Sequence, residues 1–192
     1  MKKREKEKES GMPDTSPLSD SVMDEHVAAL RSHDASERMH ARIRLERMGR
    51  TAAPILISLL NDRNEYVRWE ACKALVKLED PASAEALVLA LDDNSMAVQW
   101  LAAEALIALK LEAVPPLLRL LERKFDSIFV RQGAHHILHA LERENLLNKE
   151  TIAVIDSLRS IGPGVATALA AEHALMSIRR ASRQKNFSEH DA

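Results

Sequence analysis

The stretch RWEACKALVKLE, at residues 68–79, has a pattern that returns three more times along the chain. The related segments are RMHARIRLERMG at 38–49, QWLAAEALIALK at 99–110 and RQGAHHILHALE at 131–142. Their first residues, at positions 38, 68, 99 and 131, lie 30, 31 and 32 positions apart. Repetition at such a period is the sequence signature of a solenoid, in which each unit buries its apolar face against its neighbours.

The apolar positions within the repeated segment predict an α-helix. A small residue and, four positions later, a leucine recur in every copy and lie on one helical stripe. These residues are Ala41, Ala71, Ala102 and Ala134, followed by Leu45, Leu75, Leu106 and Leu138. A second apolar stretch precedes three of the copies, as APILISLL at 53–60, AEALVLAL at 84–91 and VPPLLRLL at 114–121. The unit is therefore a helical hairpin of about 31 residues.

The two ends of the chain predict atypical hairpins and charged tails. Residues 20–32 supply a first helix, and residues 150–178 form a fifth hairpin around the turn Gly162-Pro163-Gly164. We expect a solenoid over residues 20–182, with disordered polar tails at 1–19 and 183–192, because those tails lack apolar periodicity.

Composition supports an all-α protein and excludes several classes of function. Only 5 Gly and 7 Pro occur in 192 residues, and the net charge is −2, so we expect neither a β-sandwich nor a nucleic-acid partner. No apolar run approaches the roughly 20 residues that span a bilayer, and MKKREKEKES at the start is not a secretory signal. With Cys72 as the single cysteine, these features predict a cytoplasmic protein without membrane contact.

The segments LNDRNEYVRWEACKAL at 60–75 and LDDNSMAVQWLAAEAL at 91–106 resemble HEAT repeats, especially the short bacterial type first noted in phycobilisome lyase subunits. That pattern has Asp in the turn, then Val-Arg, then Ala and Leu along the second helix. The resemblance implies a right-handed α-solenoid of about five hairpins, with the second helices lining its concave side. Such repeats serve many purposes; here we expect a non-catalytic scaffold that binds another protein in its concave groove.

The recurring turn aspartates and the basic residues after them are expected to be structural rather than catalytic. An aspartate can cap the following helix by accepting its free N–H groups, and an arginine can reach that carboxylate from the neighbouring unit. The expected ladder consists of Asp34, Arg38, Asp62, Arg68, Asp93, Gln99, Asp126 and Arg131.

A column of side chains opposite the core stripe of the second helices is the candidate binding surface. Both tryptophans fall in this column on successive helices, where they either seal the seam between units or form a groove for a helix or extended segment of another protein. The column consists of Met39, Ile43, Trp69, Lys73, Val76, Trp100, Glu104, Ile107, Gln132, His136 and His139.

Enzyme and metal functions find little support in the sequence. His135 and His139 have the spacing of two metal ligands, but a third ligand is missing nearby, so we expect no metal. The sequence has no His-Glu dipeptide of the kind that di-iron HEAT-like hydroxylases carry, no glycine-rich phosphate loop, no GxSxG and no CxxC. We expect no enzyme, no cofactor and no small-molecule ligand. The alternative is a phycobilin-lyase-like subunit or chaperone that acts on a tetrapyrrole-bearing protein, with a bilin over the two indoles and His136 or His139 beside it.

Overall fold

The computed structural model describes residues 17–159 and 164–188. Over these residues the chain forms helices joined by short turns, and no strand occurs among them. The helices are α1 (Pro17–Ala29), α2 (Ala35–Arg47), α3 (Ala53–Leu59), α4 (Glu65–Leu78), α5 (Ala84–Leu89), α6 (Met96–Ala108), α7 (Val114–Arg123), α8 (Ile128–Arg143), α9 (Lys149–Arg159) and α10 (Val165–Ser188). The all-α class predicted from the repeat is confirmed.

The first eight helices form four consecutive hairpins in two layers. The second helices α2, α4, α6 and α8 pack on one another in sequence order, and each hairpin also buries its own two helices against each other. The repeated alanines and leucines are all buried between these helices, each at 2% exposure or less. The small alanines bring the helices close together and the leucines fill the space between them, so the solenoid architecture follows directly from the repeat.

Each of the four second helices is followed by a residue with a left-handed backbone. Gly49, Glu79, Lys110 and Asn145 have φ values of 63°, 47°, 53° and 58°. This conformation reverses the chain towards the next first helix. Glycine adopts it without steric cost and asparagine does so fairly readily. At Glu79 and Lys110 it is strained, because the Cβ atom lies close to the backbone.

The fifth hairpin has the opposite layer order to the other four. Its first helix, α9, packs on α8 in the layer of second helices, and its second helix, α10, packs on α7 in the layer of first helices. Gly164 lies at the start of α10, so close to Phe125 that a Cβ atom there would be 2.4 Å from the Phe125 carbonyl oxygen. The HEAT-type hairpin expected from the sequence would have placed α9 and α10 the other way round.

The helices at both ends extend into segments that the sequence predicts to be disordered. α1 begins at Pro17, and α10 continues to Ser188. The remaining parts of the predicted tails, residues 1–16 and 189–192, lie outside the described residues, as do Gly162 and Pro163 of the predicted turn. Among the described helices, none combines the length and the apolar character that crossing a membrane requires.

Candidate functional site

The turn aspartates do not all cap helices as expected. Asp34 is the N-cap of α2 and accepts the Ser36 N–H, but α4 is capped by Asn64, which accepts the Tyr66 N–H. Asp62 and Asp93 lie two positions before the N-cap residue of their helices and accept its N–H instead. They therefore fix the loop that leads into the helix.

The fourth turn differs again. Ser127 is the N-cap of α8 and accepts the Val130 N–H, whereas Asp126 is exposed one position earlier. This turn is one residue shorter between its aspartate and its arginine than the turn before α4, so Asp126 lies one position before the N-cap residue where Asp62 lies two positions before its own.

The expected Arg–Asp ladder takes a mixed form. Arg68 bonds both oxygens of Asp93 in the next unit and also donates to the Asp62 carbonyl. This bond to Asp93 raises the pKa of Arg68 above its usual value. The other three positions donate to backbone oxygens: Arg38 to Ser32 and His33, Gln99 to Asp93, and Arg131 to Leu158. Arg38 and Gln99 thus hold the loops before their helices in place, and Arg131 holds α8 to α9.

A first cavity of about 400 Å³ lies between α2, α4 and the start of α6. Trp69 forms part of its wall and is half-buried, because it also packs against the core. The Lys73 ammonium lies 4.3 Å from the centre of the Trp69 ring, and the Arg38 guanidinium lies 4.6 Å from the centre of the Tyr66 ring. Each cation is therefore held over an aromatic face. The wall consists of Ala35, Arg38, Met39, Arg42, Glu65, Tyr66, Trp69, Glu70, Lys73, Ser95 and Ala97.

A carboxylate is buried in the wall of the first cavity. Glu70 is 3% exposed, and its Oε2 accepts from Arg42 Nε at 2.9 Å. Arg42 also pairs with Glu46 one turn along α2. Burial raises the pKa of Glu70 above its usual value, while the charge of Arg42 and its hydrogen bond act in the opposite direction. The Arg42 charge is thus neutralised within the protein.

A second cavity of about 270 Å³ lies between α6 and α8. Trp100 is 58% exposed there, and its ring stacks on His136 with centroids 5.0 Å apart. His136 Nε2 lies 3.1 Å from Glu104 Oε1, which fixes the imidazole against the indole. Met96 and Phe129, also exposed, complete an apolar wall. The full wall consists of Leu91, Met96, Gln99, Trp100, Ala103, Phe129, Gln132, Gly133 and His136.

The predicted column is divided between these two cavities and the core. Met39, Trp69 and Lys73 line the first cavity, and Trp100, Gln132 and His136 line the second. Glu104 contacts His136. Val76 and Ile107 are half-buried against the core, and Ile43 lines neither cavity.

The histidines of α8 form a row beside the second cavity. The His139 ring stacks on His135 with centroids 5.9 Å apart. Burial lowers the pKa of His135 below its usual value, and the Arg159 charge adds to this effect. In the part of the chain that the structure describes, no group of three His, Cys, Asp or Glu side chains could hold a metal ion.

Three exposed aromatic or large apolar residues of the cavities were missed by the sequence analysis. Tyr66, Met96 and Phe129 all lie in the first turn of a second helix and are exposed. Tyr66 precedes Trp69 by three residues and Met96 precedes Trp100 by four. Side chains at these spacings share a helix face, so extending the column by one turn would have included them.

Cys72 lies close to the first cavity in sequence but takes no part in it. The side chain is fully buried, and burial raises the pKa of its thiol to about 12. The thiol therefore stays protonated near neutral pH and acts as a small apolar group in the core.

Residues 23–107 match the family model for HEAT repeats. A designed armadillo repeat protein in complex with the peptide (KR)4 is 21% identical, with a TM-score of 0.39, over 78% of this chain and 80% of that chain. A second designed armadillo repeat protein is 17% identical, with a TM-score of 0.36, over 80% and 98%. An engineered protein solved by the Northeast Structural Genomics Consortium is 19% identical, with a TM-score of 0.37, over 80% and 77%. No curated protein matches the chain.

Proposed function

We propose that this protein, whose residues 23–107 match the family model for HEAT repeats, is a non-catalytic scaffold that binds a segment of another protein along its second helices. Solenoids of this kind typically present extended binding surfaces, and their stacked units hold such a surface rigidly. We place this role in the cytoplasm, in accord with the single buried cysteine.

The exposed apolar wall of the second cavity is the observation that carries the proposal. Met96, Trp100 and Phe129 are 79%, 58% and 46% exposed, and all three face one cavity. Burying such side chains against a partner is favourable, and tryptophan is enriched among the residues that dominate binding energy. A helix or an extended segment would supply apolar side chains that enter this cavity.

The environments of the two indoles favour a protein segment over a tetrapyrrole. A phycobilin-lyase-like role would place a flat bilin over both rings. Lys73 lies over one face of Trp69, and His136 stacks on Trp100, so each ring already has a neighbour on one face. A bilin would have to displace these contacts, whereas a side chain can enter beside them.

Selection of random 12-residue peptides displayed on phage against the full chain tests the proposal. We expect peptides that bind the wild type and bind Trp100→Ala at least about tenfold more weakly. Leu89→Ala is the matched control, since Leu89 is 57% exposed on α5 and lines neither cavity. Circular dichroism and thermal unfolding of both variants should match the wild type, because neither side chain is buried.

Two results would contradict this function. One is the absence of any enriched peptide, and the other is a set of peptides that bind wild type, Trp100→Ala and Leu89→Ala equally. A coloured preparation with a bound tetrapyrrole would support the lyase-like alternative instead.

A further inference from the structure

The first cavity carries two cations whose polar atoms are only partly used. Arg38 donates through Nη1 to two loop carbonyls, while its Nη2 makes no hydrogen bond within the described residues. Lys73 Nζ likewise has no hydrogen-bond partner or ion pair there and lies over the Trp69 ring. A cation held over an aromatic ring keeps its N–H groups available for an anion.

The carboxylates of the same wall do not neutralise these two cations by direct pairing. Glu70 pairs with Arg42, which also pairs with Glu46. Glu65 is exposed at the start of α4, and no described side chain lies within ion-pair distance of it. The wall therefore contains three cations and two carboxylates. Arg38 and Lys73 each lie over an aromatic ring and form no direct ion pair, although the Glu70 charge acts on both of them.

We propose that the partner is an acidic protein segment that places an Asp or Glu side chain in the first cavity, between Arg38 and Lys73, and a bulky apolar side chain in the second cavity. This inference rests on the proposed function and specifies the chemistry of the segment. The charge of the first cavity is complementary to a carboxylate, and the Trp100 wall of the second is complementary to an apolar group.

The positions of the cavities determine the spacing of the two partner side chains. The first cavity lies between α2 and α4 and the second between α6 and α8, two helix positions further along the array. Neighbouring packed helices lie about 8–10 Å apart, which separates the cavities by about 16–20 Å. An extended chain advances about 3.3 Å per residue, so the acidic and the apolar residue should be about five or six positions apart.

An acidic protein segment fits the first cavity better than a nucleic acid does. A phosphate backbone needs a row of cations along its path. Glu65 and Glu70 share the wall with the two unpaired cations, and the second cavity adds no lysine or arginine. A single carboxylate can bind the cations at a distance from Glu65 and Glu70 more easily than a chain of phosphates can.

Fluorescence anisotropy with defined peptide pools on the full chain tests the inference. Each pool contains 12-residue peptides of Ala, Ser, Gln and Gly with two fixed positions six residues apart, in both orders. The fixed pair is Glu with Leu or Phe in the acidic pool, Lys with Leu or Phe in the basic pool, Gln with Leu or Phe in the neutral pool, and Glu with Ser in the fourth. A labelled oligo(dT) of 12 nucleotides is the fifth probe.

We expect the acidic pool to bind most tightly, and its affinity to fall as salt is added. Lys73→Gln should weaken that binding about tenfold, since it removes one charge-assisted contact. Lys73→Arg should retain binding, and Trp100→Ala should weaken it as well. Lys77→Gln is the matched control, because Lys77 is exposed on the same helix but does not line the cavity.

The outcomes separate this inference from the function it rests on. Equal or tighter binding of the basic or neutral pool, or of the Glu–Ser pool, would overturn the inference. If the pool that bound in place of the acidic one did not bind Trp100→Ala, the proposed function of the groove would still stand. Binding of oligo(dT) that depends on Lys73 would assign the cavity to nucleic acid. A failure of every pool would overturn the acidic-segment inference, and the phage selection would then decide the groove function independently.

Discussion

Arg68 and Asp93 join the second and third hairpins through two parallel hydrogen bonds, Nε–Oδ2 at 2.7 Å and Nη2–Oδ1 at 2.9 Å. Both side chains are only 9% exposed. A planar guanidinium and a carboxylate match in this geometry, which an ammonium group cannot reproduce. The pair therefore fixes the orientation of one hairpin on the next.

Breaking this pair should destabilise the solenoid. We expect Arg68→Ala to lower the free energy of unfolding by about 2–3 kcal/mol, since the Asp62 carbonyl loses its donor and the Asp93 carboxylate loses the guanidinium, keeping the Ser95 N–H. Arg68→Lys should recover only part of this loss. Urea unfolding followed by circular dichroism measures both. A change below about 0.5 kcal/mol for Arg68→Ala would show that the pair does not hold the hairpins together.

Relieving the left-handed backbone at Glu79 should stabilise the protein. Glu79→Gly removes the Cβ strain at φ 47° and should raise the free energy of unfolding by up to about 1 kcal/mol. Glu79→Ala keeps a Cβ atom and serves as the control, with no expected gain. At the equivalent position, Gly49→Ala should destabilise by about 1 kcal/mol. Thermal unfolding ranks the three variants by stability. A rise in stability in Glu79→Ala equal to that in Glu79→Gly would refute the strain argument.

Adding a methyl group should have different effects at two close glycine contacts. At Gly164 the new Cβ would meet the Phe125 carbonyl oxygen, which belongs to the backbone, so Gly164→Ala should cost about 1–3 kcal/mol. At Gly133 the nearest atom is Leu91 Cδ2 at 2.9 Å, the end of a flexible side chain, and Gly133→Ala should cost less. Hydrogen exchange should show faster opening of α10 in Gly164→Ala alone. Equal costs at both positions would contradict the packing of α10 described above.

The buried carboxylate of Glu70 should make stability depend on pH. Its pKa is raised on folding, so its contribution to stability is full at low pH and is lost as pH rises through the pKa of the folded state. Glu70→Gln replaces the titrating carboxyl with a neutral amide, so this loss of stability at higher pH does not occur. The amide oxygen can still accept a hydrogen bond from Arg42. We expect the variant to melt at a higher temperature than wild type at pH 7, and at nearly the same temperature near about pH 4. A constant difference between the two proteins across this range would exclude the titration of Glu70 as its cause.

The repeat predicts the fold because its leucines and alanines recur in one frame and every unit buries them in the same way. It does not predict the reversal of α9 and α10, since an apolar stripe specifies which face of a helix is buried but not the layer that receives it. Nor does it predict the left-handed residues Glu79 and Lys110, because neither residue type favours that backbone.

The candidate site was predicted as one column, yet the two indoles differ in their surroundings. Four residues after Trp69 comes Lys73, whose ammonium lies over the ring, and four residues after Trp100 comes Glu104, which holds His136 against the other ring. These contacts depend on side-chain conformations and on the neighbouring helix. The helical period alone therefore located the tryptophans but could not distinguish them.

The reversed order of α9 and α10 has a consequence for how such an array can change in length. Duplicating an internal unit, such as α3 with α4, would insert a copy that meets the same neighbours on both sides and would leave both terminal pairs intact. A copy appended after α10 would instead follow a pair whose helices lie in exchanged layers, so its connection would start from the layer of first helices. Duplication of an internal unit is thus the change in length that leaves every helix with the kind of neighbours it already has.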